Sequence, residues 1–234
     1  MKKLLTSTLL SATVLGAGLA VSSNVNAADQ APKPASTNTS VQFVKGTGPI
    51  GPVNPTDPGD GGGGETGNGG ALSIVYATKD LSFGADNEIG TGVLTLHGDK
   101  NVVLQVGDIR GNNAGWALSV KSDQLSDGDK TNPQVLGGAK ISFSSGTGSS
   151  DVANGGTSVA ATKNRLDDTT VGGVVLNAVG VIKDGDHKGE NQGSGINVDT
   201  IKKDEITLSV PSTSVTAGVA YKSTLNWTLS DVPA

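Results

Sequence analysis

Two tripeptides of this chain combine an aromatic ring with a leucine at a spacing that a β-strand places on one face. Trp116-Ala117-Leu118 and Trp227-Thr228-Leu229 contain both tryptophans of the chain, each within a strand-like run. Side chains at i and i+2 of a strand point to the same side, so each tripeptide sets an indole beside an isobutyl group. An exposed indole can stack on the apolar side of a sugar or anchor a protein contact. The run that leads into the second tripeptide adds Tyr221 and Leu225. Six side chains are therefore candidates for a binding surface: Trp116, Leu118, Tyr221, Leu225, Trp227 and Leu229.

A buried position is the alternative for both rings. Aromatic residues make up 3% of the chain, so a hydrophobic core must use some of them. Tryptophan is highly buried on average but seldom completely buried. The core interpretation is favoured for Trp116, and for Trp227 the two interpretations stay equally open.

Catalytic and metal chemistry are not indicated. The chain has 2 histidines, His97 and His187, and both adjoin turn residues. Carboxylates fall mainly in turns and no nucleophile-elbow pattern is present, so we expect no enzyme activity and no cofactor. Asp-rich turns at 123–129 and 184–186 offer oxygen ligands of the kind calcium prefers, but Asp-Gly is also ordinary turn chemistry. We expect no metal site, with calcium at these turns as the open alternative.

Composition limits the partners. The chain has no cysteine, which excludes disulfides, thiol nucleophiles and thiolate metal sites. The formal net charge is −5, and the adjacent pair Lys202-Lys203 is followed at once by Asp204 and Glu205. A nucleic-acid partner, which needs clustered basic residues, is therefore not expected.

The chain divides into three predicted segments. Residues 1–27 combine Lys2 and Lys3 with an apolar run and a small-residue cleavage site, which is typical of a secretory signal peptide. Residues 28–70 are predicted to be a disordered leader and a Pro/Gly/Asp-rich linker, with a short strand near 41–45. Residues 71–234 are predicted to form one β domain.

Short apolar runs separated by Gly, Asn and Asp turns continue through that domain. They predict strands at 72–76, 92–96, 102–106, 116–120, 139–143, 174–176, 205–210 and 225–229. The stretch from 144 to 170, rich in small polar residues, predicts a long loop or a wide hairpin. Together these patterns predict an all-β single domain, an antiparallel β-sandwich or an open barrel, with long loops.

These patterns resemble the WxL family of Gram-positive cell-surface proteins, as a small member with little beyond the WxL domain. Residues 105–111 are similar to the family's approach to its first motif, and residues 221–233 are similar to its second. Residues 72–76 followed by 81–84 are similar to the opening of the domain after its linker. Many relatives carry another aromatic residue before their last strands, and the corresponding stretch here, residues 193–198, has none.

The resemblance implies a secreted protein held at the Gram-positive cell wall by non-covalent binding to peptidoglycan, for which both motifs are needed. The sequence shows no Leu-Pro-x-Thr-Gly sorting signal and ends on Val232-Pro233-Ala234, which agrees with non-covalent retention. We therefore expect a peptidoglycan attachment module that acts as a subunit of a surface complex. Its implied partners are larger WxL proteins and a membrane-anchored protein.

A second class of function stays open. The chain would then be an adhesion or protein-interaction protein whose ligand is the membrane-anchored partner or a host matrix protein. A sheet edge, or the strand near 41–45, would add to the sheet of a protein partner. Binding to peptidoglycan that has been stripped of protein and accessory polymers distinguishes the two classes.

Overall fold

The computed structural model of the chain describes residues 35–53, 64–144, 148–153 and 158–232. The predicted signal peptide and the glycine-rich part of the linker lie outside these residues. The chain divides into a unit of residues 1–42 and a unit of residues 43–234. In the first unit, the described residues 35–42 have no regular secondary structure, and all the strands described below belong to the second.

The second unit is built from short strands. In chain order they are β1 (Leu72–Ala77), β2 (Val93–His97), β3 (Val102–Asp108), β4 (Trp116–Ser122), β5 (Lys140–Phe143), β6 (Gly148–Ser149), β7 (Asp151–Ala153), β8 (Thr162–Lys163), β9 (Gly173–Ala178), β10 (Gly195–Ile201), β11 (Ile206–Pro211) and β12 (Leu225–Ser230). Two single 3-10 turns, Lys203–Glu205 and Ser212–Ser214, flank β11. Across the described ranges, the structure has no helix with the length and apolarity to cross a membrane.

The strands form three antiparallel sheets, named A, B and C. Sheet A has the order β1-β3-β10-β7, sheet B the order β2-β11-β5, and sheet C the order β12-β4-β9-β8-β6. None of the three closes into a barrel within the residues that the structure describes. The predicted all-β fold of antiparallel sheets is therefore confirmed, with a strand at each of the eight predicted runs.

One hydrophobic core joins the three sheets. Sheet A contributes alternate residues of β3, sheet B contributes the inward residues of β5 and β11, and sheet C contributes β4 and β9. The most completely buried large side chains of this core are Trp116, Phe143, Leu104, Leu118, Leu176, Ile201 and Ile206. Burial of apolar surface at about 25 cal/mol per Å² is the main source of stability in such a core.

Four strands were not predicted. β10 is a central strand of sheet A, and β6, β7 and β8 are pieces of two or three residues within the predicted loop at 144–170. β10 has an unusual pattern because Asn197 and Asp199 are buried on its inner face, while Ile196 and Val198 point outward. Because polar residues occupy these inner positions, the sequence of β10 lacks the inward apolar residues that usually predict a buried strand.

The apolar outer face of sheet A is covered by part of the predicted linker. Residues 46–53, here called the strap, set Ile50 and Val53 against a second cluster that contains Tyr76, Val103, Ile196 and Val198. The buried Gln105 side chain holds the strap at two points. Its Nε2 donates to Val53 O at 2.8 Å and its Oε1 accepts from Val53 N–H at 3.0 Å. The compact unit therefore begins well before residue 71.

The short strand predicted near residues 41–45 is not formed. These residues have no regular secondary structure, and Val41, Phe43 and Val44 are strongly exposed. An alternating pattern alone does not form a strand, because a strand also needs a neighbouring backbone to pair with. The first contact of the strap is at Gly46, whose N–H donates to Ile109 O at 3.0 Å.

The Gln105 contacts predict a local effect that can be measured. Replacing Gln105 with leucine keeps most of the buried volume but removes both hydrogen bonds to Val53. At about 0.5–1.5 kcal/mol each, their loss should speed amide exchange at Val53 by about tenfold or more. Hydrogen exchange followed residue by residue checks this, with the exposed Gln124→Leu as control. Unchanged exchange at Val53 would show that Gln105 does not hold the strap.

Candidate functional site

The two W-x-L tripeptides lie on neighbouring antiparallel strands of sheet C. β4 carries Trp116 and Leu118, β12 carries Trp227 and Leu229, and the two strands pair without a register shift. Leu229 lies directly opposite Leu118, and Trp227 lies opposite Val120. Directly paired residues point to the same face, so the tripeptides form one apolar surface that faces the core.

The two indoles occupy different parts of that surface. Trp116 is four residues from Val120, the partner of Trp227, which corresponds to about 13 Å along a strand. Trp116 is completely buried, whereas Trp227 is partly exposed. The motifs are therefore alike in sequence but differ in access to solvent.

Trp116 links sheets A and C. Its Nε1 donates to the Gly193 carbonyl at 3.1 Å, just before β10. The same carbonyl accepts from Asn197 Nδ2 at 2.9 Å, and Asn197 Oδ1 accepts from the Ala161 N–H at 3.0 Å. Because Leu118 is also 0% exposed, neither residue of the first tripeptide reaches a surface ligand. Trp116 and Leu118 therefore support the strand pair from within.

The turn before β4 is held by an arginine. Arg110 Nη2 donates to Asp108 Oδ2 at 2.8 Å and to Gly115 O at 2.7 Å, and Arg110 Nε donates to Asp108 Oδ1 at 3.0 Å. The hydrogen bonds to Asp108 raise the pKa of Arg110 above its ordinary value. This clamp fixes the entry of Trp116 into sheet C. It accounts for the acidic and basic residues that precede the first tripeptide.

A second polar link joins sheets A and C. Lys163 Nζ on β8 lies 2.7 Å from the buried Asp199 Oδ1 on β10. Burial raises the pKa of the Asp199 carboxyl, and the neighbouring ammonium of Lys163 opposes that effect only in part. Buried ion pairs of this kind add little net stability, because the cost of desolvating both charges offsets their attraction.

Trp227 lies where the core meets an open cleft. Its ring stacks on the buried ring of Phe143, with centroids 6.1 Å apart and planes within 11°. It also lines a cleft of about 850 Å³, together with Leu225 and Tyr221 from the same end of the chain. Three of the six predicted site residues therefore meet at one cavity, while Leu229 is partly buried farther along β12.

The walls of this Trp227 cleft are two irregular segments. One is 78–89, which is tied down where the Ser82 N–H donates to Asp99 Oδ1 at 3.0 Å. The other is 215–224, where Tyr221 Oη accepts from the Thr216 N–H at 3.1 Å. Leucines and valines of β2 and β11 form the floor. Phe83, part of the predicted domain opening, is a further aromatic wall residue that was not among the predicted site residues.

The charged side chains that line the cleft are both lysines. Lys79 and Lys222 both line it, and none of the described lining residues is a carboxylate, although the wall segment 78–89 also contains Asp80, Asp86 and Glu88. The chain as a whole carries a net charge of −5. An apolar cleft with two ammonium groups suits a ligand that combines flat apolar faces with negative charge. No local sequence pattern marks the two lysines, because they reach the same cleft only in the fold.

The titratable turns do not converge on the cleft. His97 is exposed at the end of β2, and the exposed His187 lies 3.1 Å from Glu190 Oε2. Asp127 and Asp129 accept hydrogen bonds from backbone N–H groups of the 127–134 loop, and those from Thr131 and Asn132 lower the pKa of Asp129. In the described part of the chain, no three acidic or histidine side chains are grouped as metal ligands.

Comparison with known proteins identifies one family. A family-wide sequence model, described as a WxL domain that is surface cell wall-binding, matches residues 30–233. This range includes the strap, both tripeptides and both walls of the Trp227 cleft. Neither a curated protein nor a solved structure matches the chain.

Proposed function

This chain belongs to the WxL family of surface cell wall-binding domains, and on that premise we propose that it binds peptidoglycan non-covalently through the Trp227 cleft. The family match covers nearly the whole chain, so wall attachment is a property of this domain itself. The proposal includes export through the predicted signal peptide and retention at the Gram-positive cell wall.

The observation that carries the proposal is the convergence of Trp227, Tyr221 and Phe83 on one cleft. Glycan strands present the apolar faces of sugar rings, on which flat aromatic side chains pack well. The cleft volume of about 850 Å³ falls within the range of roughly 300–1,000 Å³ that is usual for ligand sites. The aromatic residues of the second tripeptide therefore have both the chemistry and the access for a sugar.

The two lysines extend the match to the peptide part of peptidoglycan. Its short stem peptides carry carboxylates, and Lys79 and Lys222 line the cleft, where no described lining residue is a carboxylate. Charge pairing at an exposed rim contributes mainly to specificity and to the rate of association. Binding through these lysines should weaken as ionic strength rises.

We further propose that the domain acts as a subunit of a surface complex with larger WxL proteins and a membrane-anchored partner. Resemblance to the family supports this part of the proposal. The alternative, in which the domain binds only the membrane-anchored partner or a host matrix protein, predicts no affinity for bare wall.

Sedimentation with purified sacculi tests the proposal. The chain from residue 28 onward is mixed with sacculi stripped of protein and accessory polymers, and the bound fraction is measured. Replacing Trp227 with alanine should weaken binding at least about tenfold, since a central aromatic anchor contributes about 2 kcal/mol or more. Thr228→Ala, on the same strand but with its side chain exposed on the opposite face, is the matched control.

The outcomes separate the two classes of ligand. Wild-type protein that never sediments with stripped sacculi, but does so with sacculi that retain their proteins, would favour a protein partner. Equal binding by wild type and a folded Trp227→Ala variant would move the wall site away from the cleft. Thermal unfolding of each variant shows whether it is folded.

A further inference from the structure

Strand β12 has an open edge that carries the second tripeptide. It is the first strand of sheet C and pairs with β4 on one side only. Two contacts show which backbone groups face β4: the Asp123 N–H donates to Thr224 O at 3.0 Å, and Ser119 Oγ donates to Thr228 O at 3.3 Å. Because neighbouring residues of a strand direct their backbone groups to opposite sides, those of Leu225, Trp227 and Leu229 face outward. None of these three forms a backbone hydrogen bond with another described residue outside the β4 ladder.

This edge lacks the features that usually prevent strand addition. Residues 225–230 contain no charged residue, no proline and no bulge. Natural edge strands commonly use such features, or a covering segment, to avoid pairing with another chain. Two other edges are covered: Glu65 pairs with Tyr76 beside β1, and Leu166 pairs with Phe143 beside β5.

The sequence of β12 is nearly palindromic about its tryptophan. It reads Leu225-Asn226-Trp227-Thr228-Leu229, so an antiparallel copy centred on Trp227 sets leucine against leucine and tryptophan against tryptophan. The outward backbone groups then meet as hydrogen-bonded pairs, with about six new hydrogen bonds. The polar residues Asn226 and Thr228 oppose each other on the outer face, so both faces match.

We propose that β12 pairs antiparallel with β12 of a second copy of this chain, which joins two C sheets into one and forms a two-fold symmetric dimer. A two-fold contact of this type uses the same patch on both subunits, as the near-palindrome requires. The side chains of Trp227 from both copies then lie on one side of the joined sheet. Two wall-binding clefts would thus face the same side, an arrangement that strengthens attachment to a repeating polymer.

Two alternatives compete with this proposal: a strand of another protein at the β12 edge, and self-pairing through a different edge. β2 is also a sheet edge, but the same pairing centred on Thr95 would set Val93 against His97, which match poorly. A foreign strand would need no palindrome and would leave the protein alone monomeric. Because Asn226 opposes Thr228 only in the self-paired arrangement, charges placed at these two positions distinguish the cases.

Sedimentation equilibrium of the chain from residue 28 onward provides the test. Two double variants are compared: Asn226→Glu with Thr228→Glu, which sets like charges opposite each other, and Asn226→Glu with Thr228→Lys, which sets opposite charges together. We expect the first to raise the dimer dissociation constant at least about tenfold. The second should restore it to within a few-fold of wild type. The first replacement, which both variants share, places its carboxylate opposite Lys121 on β4, so it affects the monomer in the same way.

Each remaining outcome overturns the proposal. A wild-type protein that stays monomeric at hundreds of micromolar has no self-pairing edge. A dimer that the like-charge variant leaves unchanged is formed by another surface. If the amides of Leu225, Trp227 and Leu229 gain protection from hydrogen exchange only when a second WxL protein is added, the edge belongs to a foreign strand. Sacculus binding by a monomeric variant is scored separately, so failure of the dimer leaves the proposed wall function standing.

Discussion

Replacing Trp116 with alanine is expected to lower the free energy of unfolding by about 3–5 kcal/mol, the largest loss for a single truncation in this core. The side chain is completely buried and is the largest of the fully buried residues. Its removal leaves a cavity between sheets A and C and takes one donor from the Gly193 carbonyl. Against a total stability of roughly 5–15 kcal/mol, this loss is a large fraction and should lower the unfolding temperature.

Urea unfolding of wild type and variants measures this loss. Trp116→Phe keeps most of the apolar volume but removes the N–H donor, so its cost should lie well below that of the alanine variant. Trp227→Ala should cost less than Trp116→Ala because Trp227 is already partly exposed. A Trp116→Ala variant within about 1 kcal/mol of wild type would contradict a core role for this ring.

The sequence predicted the alternation of strands well but could not show which strands pair. The two tripeptides were each predicted to set an indole and a leucine on one face, and they do so on β4 and β12. Their direct pairing, with Leu229 opposite Leu118, joins distant parts of the chain. A pairing between residues so far apart in the sequence cannot be recognised from the local pattern of either strand.

β10 is a strand that the sequence did not predict at all. Gly193, Gly195, Asn197 and Asp199 give this stretch the appearance of a turn. In the fold both are buried: Asn197 Oδ1 accepts from the Ala161 N–H, and Asp199 Oδ1 forms an ion pair with Lys163 Nζ at 2.7 Å. A polar residue is compatible with a buried strand when such partners exist, and a single sequence does not reveal them.

The candidate site was predicted only in part. Tyr221, Leu225 and Trp227 do meet at the cleft, but Trp116 and Leu118 lie beneath the surface. Irregular segments build both cleft walls, so hydrophobic periodicity could not identify them. The placement suggests why two tripeptides would be needed for one function. The buried one fixes β4, and β4 in turn positions β12 and Trp227.

Replacing Gly193 with alanine is the second substitution expected to have a large effect. Gly193 has a positive φ of 76°, a conformation that costs a residue with a side chain about 1–2 kcal/mol. An added methyl group would also overlap the Ala178 side chain and lie 2.9 Å from Trp116 Nε1. Overpacking of this kind costs about 1–3 kcal/mol more, so the total loss of stability should be about 2–5 kcal/mol.

Gly195→Ala is the matched control, because it isolates the backbone cost. Gly195 has a similar φ of 82°, but an added methyl group there would contact nothing within 4 Å. Its variant should lose only about 1–2 kcal/mol. Equal losses for the two variants in urea unfolding would mean that Trp116 has room to move. A larger loss at Gly193 would mean that no side chain fits where the Trp116 indole meets Gly193.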